Sequence, residues 1–183
     1  PVRFITNYST GKMGYAVALM AKRRGATVTL VSGPTSLPQP RGVEFVPVSS
    51  ARQMRDAVMA HLEKATVVVK SAAVADYRPA DFSESKIKKA QKPLEFRLER
   101  NPDIISEVGR VKGNRILVGF AVETDNLIRY ATKKMMEKNM DLIVANDITQ
   151  AGAGFAAETN IVKILDRDGG SVDLPLLDKM DGA

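Results

Sequence analysis

Cysteine is missing from this chain, and histidine occurs once. The first absence excludes disulfides, thiolate nucleophiles and thiolate metal sites. The second excludes a zinc site built from several imidazoles, and the lone His61 falls on a helical pattern as a solvated helix residue. Aromatic residues make up only 5% of the chain, and the basic residues are spread along it rather than gathered between aromatics. A nucleic-acid surface that stacks bases on rings is therefore poorly supported. No apolar run approaches the roughly 20 residues of a membrane-spanning helix, so no membrane partner is expected. Strand-like sequence begins immediately after Pro1. No signal peptide is expected, and the chain reads as one half of a longer polypeptide.

What the chain does contain is an ordinary globular balance, 44% apolar and 26% charged over 183 residues. That suits one domain spanning residues 1–183. The net charge is +6. With aromatics scarce, a ligand carrying several phosphates suits this surplus better than nucleic acid does.

Strand and helix patterns alternate, which argues for an α/β fold with a mostly parallel sheet and crossover helices. Strands are predicted at 2–6, 27–32, 43–48, 66–69, 116–120 and 142–145. The run 66–69 is apolar throughout, as in a strand buried on both faces. Helical spacing places Met13, Ala16, Val17, Met20 and Ala21 on one face, and Gly25 reads as the stop. Ser50 and Gln53 form a capping box for a helix through about Glu63. A loop with three prolines occupies 33–42. The segment 94–100 alternates as a half-exposed strand. Asn101-Pro102-Asp103 predicts a helix start with Asn101 as N-cap and Pro102 in the first position. A helix is predicted over 126–139. Residues 161–165 and 172–174, joined around Asp168-Gly169-Gly170, predict a terminal hairpin.

Four places could carry chemistry. Ser9, Thr10, Gly11 and Gly14 put small residues and free N–H groups at a helix N-terminus, a setting that favours anions. The Walker pattern fails there because Met13 follows Lys12, and the dinucleotide fingerprint lacks its first glycine. Ser71-Ala72-Ala73 stands at the carboxyl end of a predicted strand, where open α/β sheets bind ligands, with the Asp76 carboxylate facing the crevice. Lys86, Lys88 and Lys89 form a basic run, and Lys134 and Lys138 lie four apart on one helix face with Lys133 on another. For both lysine groups a solvated charged face stands beside the functional reading.

These places fall in one colinear order. Asn7-Tyr8-Ser9-Thr10-Gly11-Lys12-Met13-Gly14 resembles the first signature of bacterial phosphopantothenoylcysteine synthetase. Ala72-Ala73-Val74-Ala75-Asp76-Tyr77, Lys86-Ile87-Lys88-Lys89 and Asn101-Pro102-Asp103-Ile104 resemble its next three. Gly119-Phe120-Ala121, Glu123-Thr124, Lys134, Lys138-Asn139, Asp141-Leu142 and Ala145-Asn146 complete the order. The resemblance covers essentially the whole chain.

It implies a Rossmann-like, doubly wound fold with a flap loop at 81–92. It implies a ligase that joins 4′-phosphopantothenate to cysteine with CTP and Mg²⁺, through an acyl-cytidylate, in coenzyme A synthesis. By the same resemblance Lys134 and Lys138 hold the triphosphate, and Phe120 and the backbone of Ser71, Ala72 and Ala73 line the cytosine side. Asp76 and the helix start at Asn101, Pro102, Asp103 and Ile104 touch the nucleotide. Arg3, Asn7 and Ala73 reach the pantothenate portion, and Lys86 closes on the reacting group, so Asn7 and Lys86 are the expected catalytic residues. The metal ligands are left unassigned. A cytoplasmic homodimer is implied, with 94–100 at its interface, and FMN belongs to a decarboxylase half outside this chain. Lys70 stands where the family pattern has a small residue.

The rival reading is a short-chain dehydrogenase, in which Thr10-Gly11-x-x-Gly14 would be the cofactor loop and Tyr130-x-x-x-Lys134 the catalytic pair. No serine lies within 116–124 to assist that tyrosine, and no acidic residue follows the second strand to hold a ribose. A basic nucleic-acid binder is the third class, for which only weak, nonspecific binding is expected.

Overall fold

The structure is a computed structural model, which describes residues 4–81, 83, 85, 95–123, 127–147 and 159–178. In chain order the elements are α1 (Lys12–Arg23), β1 (Thr29–Ser32), β2 (Glu44–Pro47), α2 (Ala51–His61) with a 3-10 turn at Leu62–Lys64, and β3 (Val67–Lys70). They continue with β4 (Tyr77–Pro79), β5 (Leu98–Arg100), α3 (Ile104–Val111), β6 (Ile116–Glu123), α4 (Leu127–Glu137), β7 (Leu142–Asp147), β8 (Thr159–Asp166) and β9 (Ser171–Asp178).

The main sheet runs β3-β6-β7-β8-β9. Its β3, β6 and β7 are parallel, and β8 and β9 add the expected hairpin antiparallel at one side. A separate parallel pair is formed by β1 and β2, and an antiparallel pair by β4 and β5. The mixed α/β architecture with a mostly parallel centre agrees with the alternation read from the sequence.

One face of the main sheet carries the core. Leu117 and Ala121 of β6, Ile143 and Ala145 of β7 and Leu165 of β8 pack with Ile104, Ile105 and Val108 of α3 and with Ala131 and Met135 of α4. The apolar spacing in α3 and α4 places these side chains on one helical face. Gly119 is required by this packing, because a Cβ there would overlap Met140 Sδ.

Local signals account for the element ends. Gly11 stands at φ 78° as the N-cap of α1, and Gly25 at φ 92° follows its last turn. Ser50 Oγ accepts from Gln53 N–H at 3.2 Å, but Gln53 Oε1 accepts from Ser49 N–H rather than from Ser50, so the box closes one residue early.

Three expectations are corrected. Residues 4–6 form no strand; Phe4 is 74% exposed, and alternation alone supplies no hydrogen-bonding partner. The run at β3 is not buried on both faces, because Val67 and Val69 stand exposed on the face away from α3 and α4. The helix after Asn101 begins at Ile104 with Asp103 as its cap, through a 3.2 Å bond from Ser106 N–H to Asp103 Oδ1. Asn101 is taken by other partners, and Pro102 lies before the helix.

Candidate functional site

A cleft of about 2340 Å³ runs along β1 and β3 and reaches their carboxyl ends, Phe120 of β6 and the start of α1. Its walls include Asn7, the 71–75 loop, Asn101, Ile104 and Phe120. The edges of β1 and β3 line this same cleft and do not pair with each other. Open α/β sheets bind ligands in such a crevice.

The small residues predicted at the end of β3 form the floor. Gly14 of α1 packs directly on Ser71: a Cβ at 14 would come within 2.7 Å of Ser71 Oγ. Asn7 Nδ2 donates to the Val74 carbonyl at 3.3 Å, which brings the first and second motifs together across 67 positions of sequence. The N–H groups expected to be free at the α1 turn have local partners: Gly11 N–H donates to Ser9 Oγ and Lys12 N–H to Thr10 Oγ1, both at 3.4 Å.

Asn101 joins the floor to α3. Its Nδ2 donates to the Ala75 carbonyl at 2.8 Å, its N–H to the Asp76 carbonyl at 2.8 Å, and its Oδ1 accepts from Arg78 Nη1 at 3.0 Å. Arg78 is held in turn by Glu99 at 2.6 Å. The fourth motif thereby fixes the second. Asp76 itself is exposed, and its carboxylate does not line the cleft.

The lysines of α4 stand beside this floor, outside the cleft lining. Lys138 Nζ pairs with Asp103 Oδ2 at 2.8 Å, which ties the end of α4 to the start of α3. Burial alone would raise the Asp103 carboxyl, but Lys138 and Ser106 outweigh it and hold the group below the usual carboxylate range. Lys134 is half-buried with no ion pair among the described residues, whereas Lys133 makes only an exposed pair with Glu137. Phe120 is half-buried on β6, one residue beyond the Lys70–Gly119 register pair.

Arg3 and Lys86, with the rest of the basic run, lie outside the described residues. Tyr130 is 51% exposed, and the dehydrogenase reading has no further support. Sequence reasoning missed the side chain of Lys70, which lines the cleft and donates from Nζ to the Ala72 carbonyl at 3.0 Å. Its departure from the family pattern was the one available signal. Among the described residues no group of three acidic or histidine side chains gathers as a metal site.

Fold and site together define an α/β domain whose motifs converge on a crevice that reaches the carboxyl ends of parallel strands, with the lysines of α4 beside it. The chain belongs to the DNA/pantothenate metabolism flavoprotein C-terminal domain family, whose model matches residues 1–183. It is 51% identical over 182 residues to the coenzyme A biosynthesis bifunctional protein CoaBC of Bacillus subtilis (strain 168), covering 99% of this chain and 45% of that protein. It is 47% identical over 180 residues to CoaBC of Escherichia coli (strain K12), covering 96% and 44%. The crystal structure of the C-terminal domain of a CoaBC superposes with a TM-score of 0.84 at 46% identity, covering all of this chain and 82% of the other. The chain thus spans less than half the length of these full-length relatives.

Proposed function

We propose that this domain ligates 4′-phosphopantothenate to cysteine at the expense of CTP, as a step of coenzyme A synthesis. The observation that carries the reading is the convergence of the motifs: Asn7 on Val74, Asn101 on Ala75, and Lys138 on Asp103. The relatives' part in coenzyme A biosynthesis supports the same reading.

A carboxylate is a poor acyl donor because oxide is a poor leaving group. The substrate carboxylate oxygen therefore attacks the α-phosphorus of CTP, and pyrophosphate leaves. The cysteine amine then attacks the acyl carbon, CMP leaves, and the amine gives up a proton. Two reactants must be aligned in each step, so positioning is a large part of the task.

In this reading Lys134 and Lys138 hold the triphosphate, while the backbone of Ser71, Ala72 and Ala73 and the ring of Phe120 form the base side. Asp76 and the residues Asn101, Pro102, Asp103 and Ile104 flank the nucleotide. Arg3, Asn7 and Ala73 hold the acid, and Lys86 neutralises charge on the reacting group. Mg²⁺ binds commonly through substrate phosphates and few protein carboxylates, which fits a site rich in lysines. When bound it screens the phosphate charge. FMN belongs to the decarboxylase portion of the longer proteins.

We place the protein in the cytoplasm as a homodimer. Tyr77, Phe96 and Leu98 expose apolar surface around the β4–β5 pair and suit a contact between copies. No helix among the described residues is long and apolar enough to cross a membrane.

The test is a single turnover with CTP, Mg²⁺ and 4′-phosphopantothenate. Pyrophosphate should appear without cysteine, and CMP only after cysteine is added. Pyrophosphate that waits for cysteine would contradict the two-step route, and no turnover with any nucleotide would contradict the ligase reading.

A further inference from the structure

Lys70 is the cation that the motifs leave without a task. It ends β3 in register with Gly119. Its side chain therefore lies on the sheet face of Val68 and Leu117, the face that α3 and α4 cover. Lys70 also lines the cleft, whereas Lys134 and Lys138 do not. It stands where the cleft meets the lysine pair.

Its bonding is meagre for so enclosed an ammonium. Nζ donates to the Ala72 carbonyl at 3.0 Å, and no carboxylate among the described residues forms an ion pair with it. The neighbouring carboxylate of Asp103 is taken by Lys138. Burial pushes the Lys70 ammonium below the ordinary lysine range; Lys134 and then Lys138 push it further, against weaker opposing pulls from Asp103 and Asp76. Three ammonium groups within one another's field repel, and a polyanion would remove that cost.

Resting on the CTP reading above, we propose that Lys70 is a third cation for the nucleotide polyphosphate, held on the Ala72 carbonyl until the phosphates arrive. Its reach from the cleft side complements Lys134 and Lys138 from the helix side. A lysine at this position then makes the site selective for the number of phosphates rather than for the base.

The experiment separates charge from scaffolding. Lys70→Gln removes the ammonium but can still donate to the Ala72 carbonyl. Lys70→Met removes both, and Lys70→Arg keeps the charge. Affinities for CTP and CMP are measured by calorimetry with Mg²⁺ on each purified protein. A charge-assisted hydrogen bond contributes about tenfold or more in affinity. Lys70→Gln should therefore lose about tenfold for CTP and less than about twofold for CMP, with Lys70→Arg retaining most of the CTP preference. Equal losses for the two nucleotides, or none, would overturn the role of Lys70 while leaving the nucleotide reading intact. A wild-type protein that binds CTP no better than CMP would overturn both.

Discussion

Gly109 of α3 lies against the backbone carbonyl of Lys138: a Cβ at 109 would overlap that oxygen. Asn139 fastens the same place, because its Nδ2 donates to the Gly109 carbonyl at 2.7 Å while its φ of 52° turns the chain out of α4. The two helices are thereby locked at the end where Lys138 meets Asp103. Gly109→Ala should destabilise the protein by about 2 kcal/mol, the usual cost of an overpacked contact. The gain of about 1 kcal/mol that Ala brings to a helix interior is too small to offset it. Urea denaturation measures the difference. A variant as stable as the parent would mean that α3 and α4 separate freely and that the contact is not a lock.

Asp141 predicts an acid limit to stability. It pairs with Lys112, which is 7% exposed, and accepts from Leu117 N–H at 2.7 Å. Burial alone would raise this carboxyl, but Lys112, the Leu117 N–H and Arg167 hold it below the ordinary value of 3.8. A carboxyl depressed in the folded state stabilises folding above its unfolded pKa, and that stability is lost as pH falls through the depressed one. The contribution should be complete at neutral pH and should decline from about pH 4 downward. Asp141→Asn should flatten that part of the pH profile. It should also cost about 3 kcal/mol at neutral pH, because it leaves Lys112 buried without its counter-charge. Melting temperatures from pH 2 to 8 on both proteins test this.

How far the molecule was readable depends on the range of the interaction. Gly25 ending α1 and Ser50 capping α2 are local effects, and they were legible. Asn101 and Asp103 both suit a helix cap, and the choice between them is made by distant partners: the Ala75 carbonyl and Arg78 claim Asn101. Val67 and Val69 belong to an apolar run that reads as buried, yet their exposure depends on what covers the other sheet face. The motif residues were found as a colinear set, whereas the enclosure of Lys70 in the field of Lys134, sixty-four positions along in sequence, is a tertiary effect. Periodicity cannot carry that information.

The basic run at 86–89 has a kinetic prediction. Lys86 lies outside the described residues, and its role is read from the motif alone. A lysine that meets charge developing on the reacting group acts more in the transition state than in the resting complex. Lys86→Gln should therefore lower kcat and kcat/KM together by about a hundredfold while changing CTP affinity little. Wild-type turnover in this variant would make the run a solvated charged surface.

Asn7 and Lys134 should fail in opposite ways. Asn7 lines the cleft and donates to the Val74 carbonyl, whereas the α4 lysines lie outside the cleft lining. An amide donates hydrogen bonds, whereas a carboxylate only accepts them, so aspartate at that place would repel an anionic acid. Asn7→Asp should lower pyrophosphate release by about two orders of magnitude and leave CTP affinity nearly intact. Lys134 is half-buried on a helix that is already packed through Ala131 and Met135, so its charge needs little rearrangement to meet a phosphate. Lys134→Gln should weaken CTP binding by about tenfold, with a smaller effect on turnover at saturating CTP. Titration of CTP by calorimetry, beside pyrophosphate release under saturation, distinguishes the two variants. Should Asn7→Asp lose CTP affinity as strongly as Lys134→Gln does, Asn7 belongs to the nucleotide and not to the acid. The division of the cleft into an acid side and a phosphate side would then have to be redrawn.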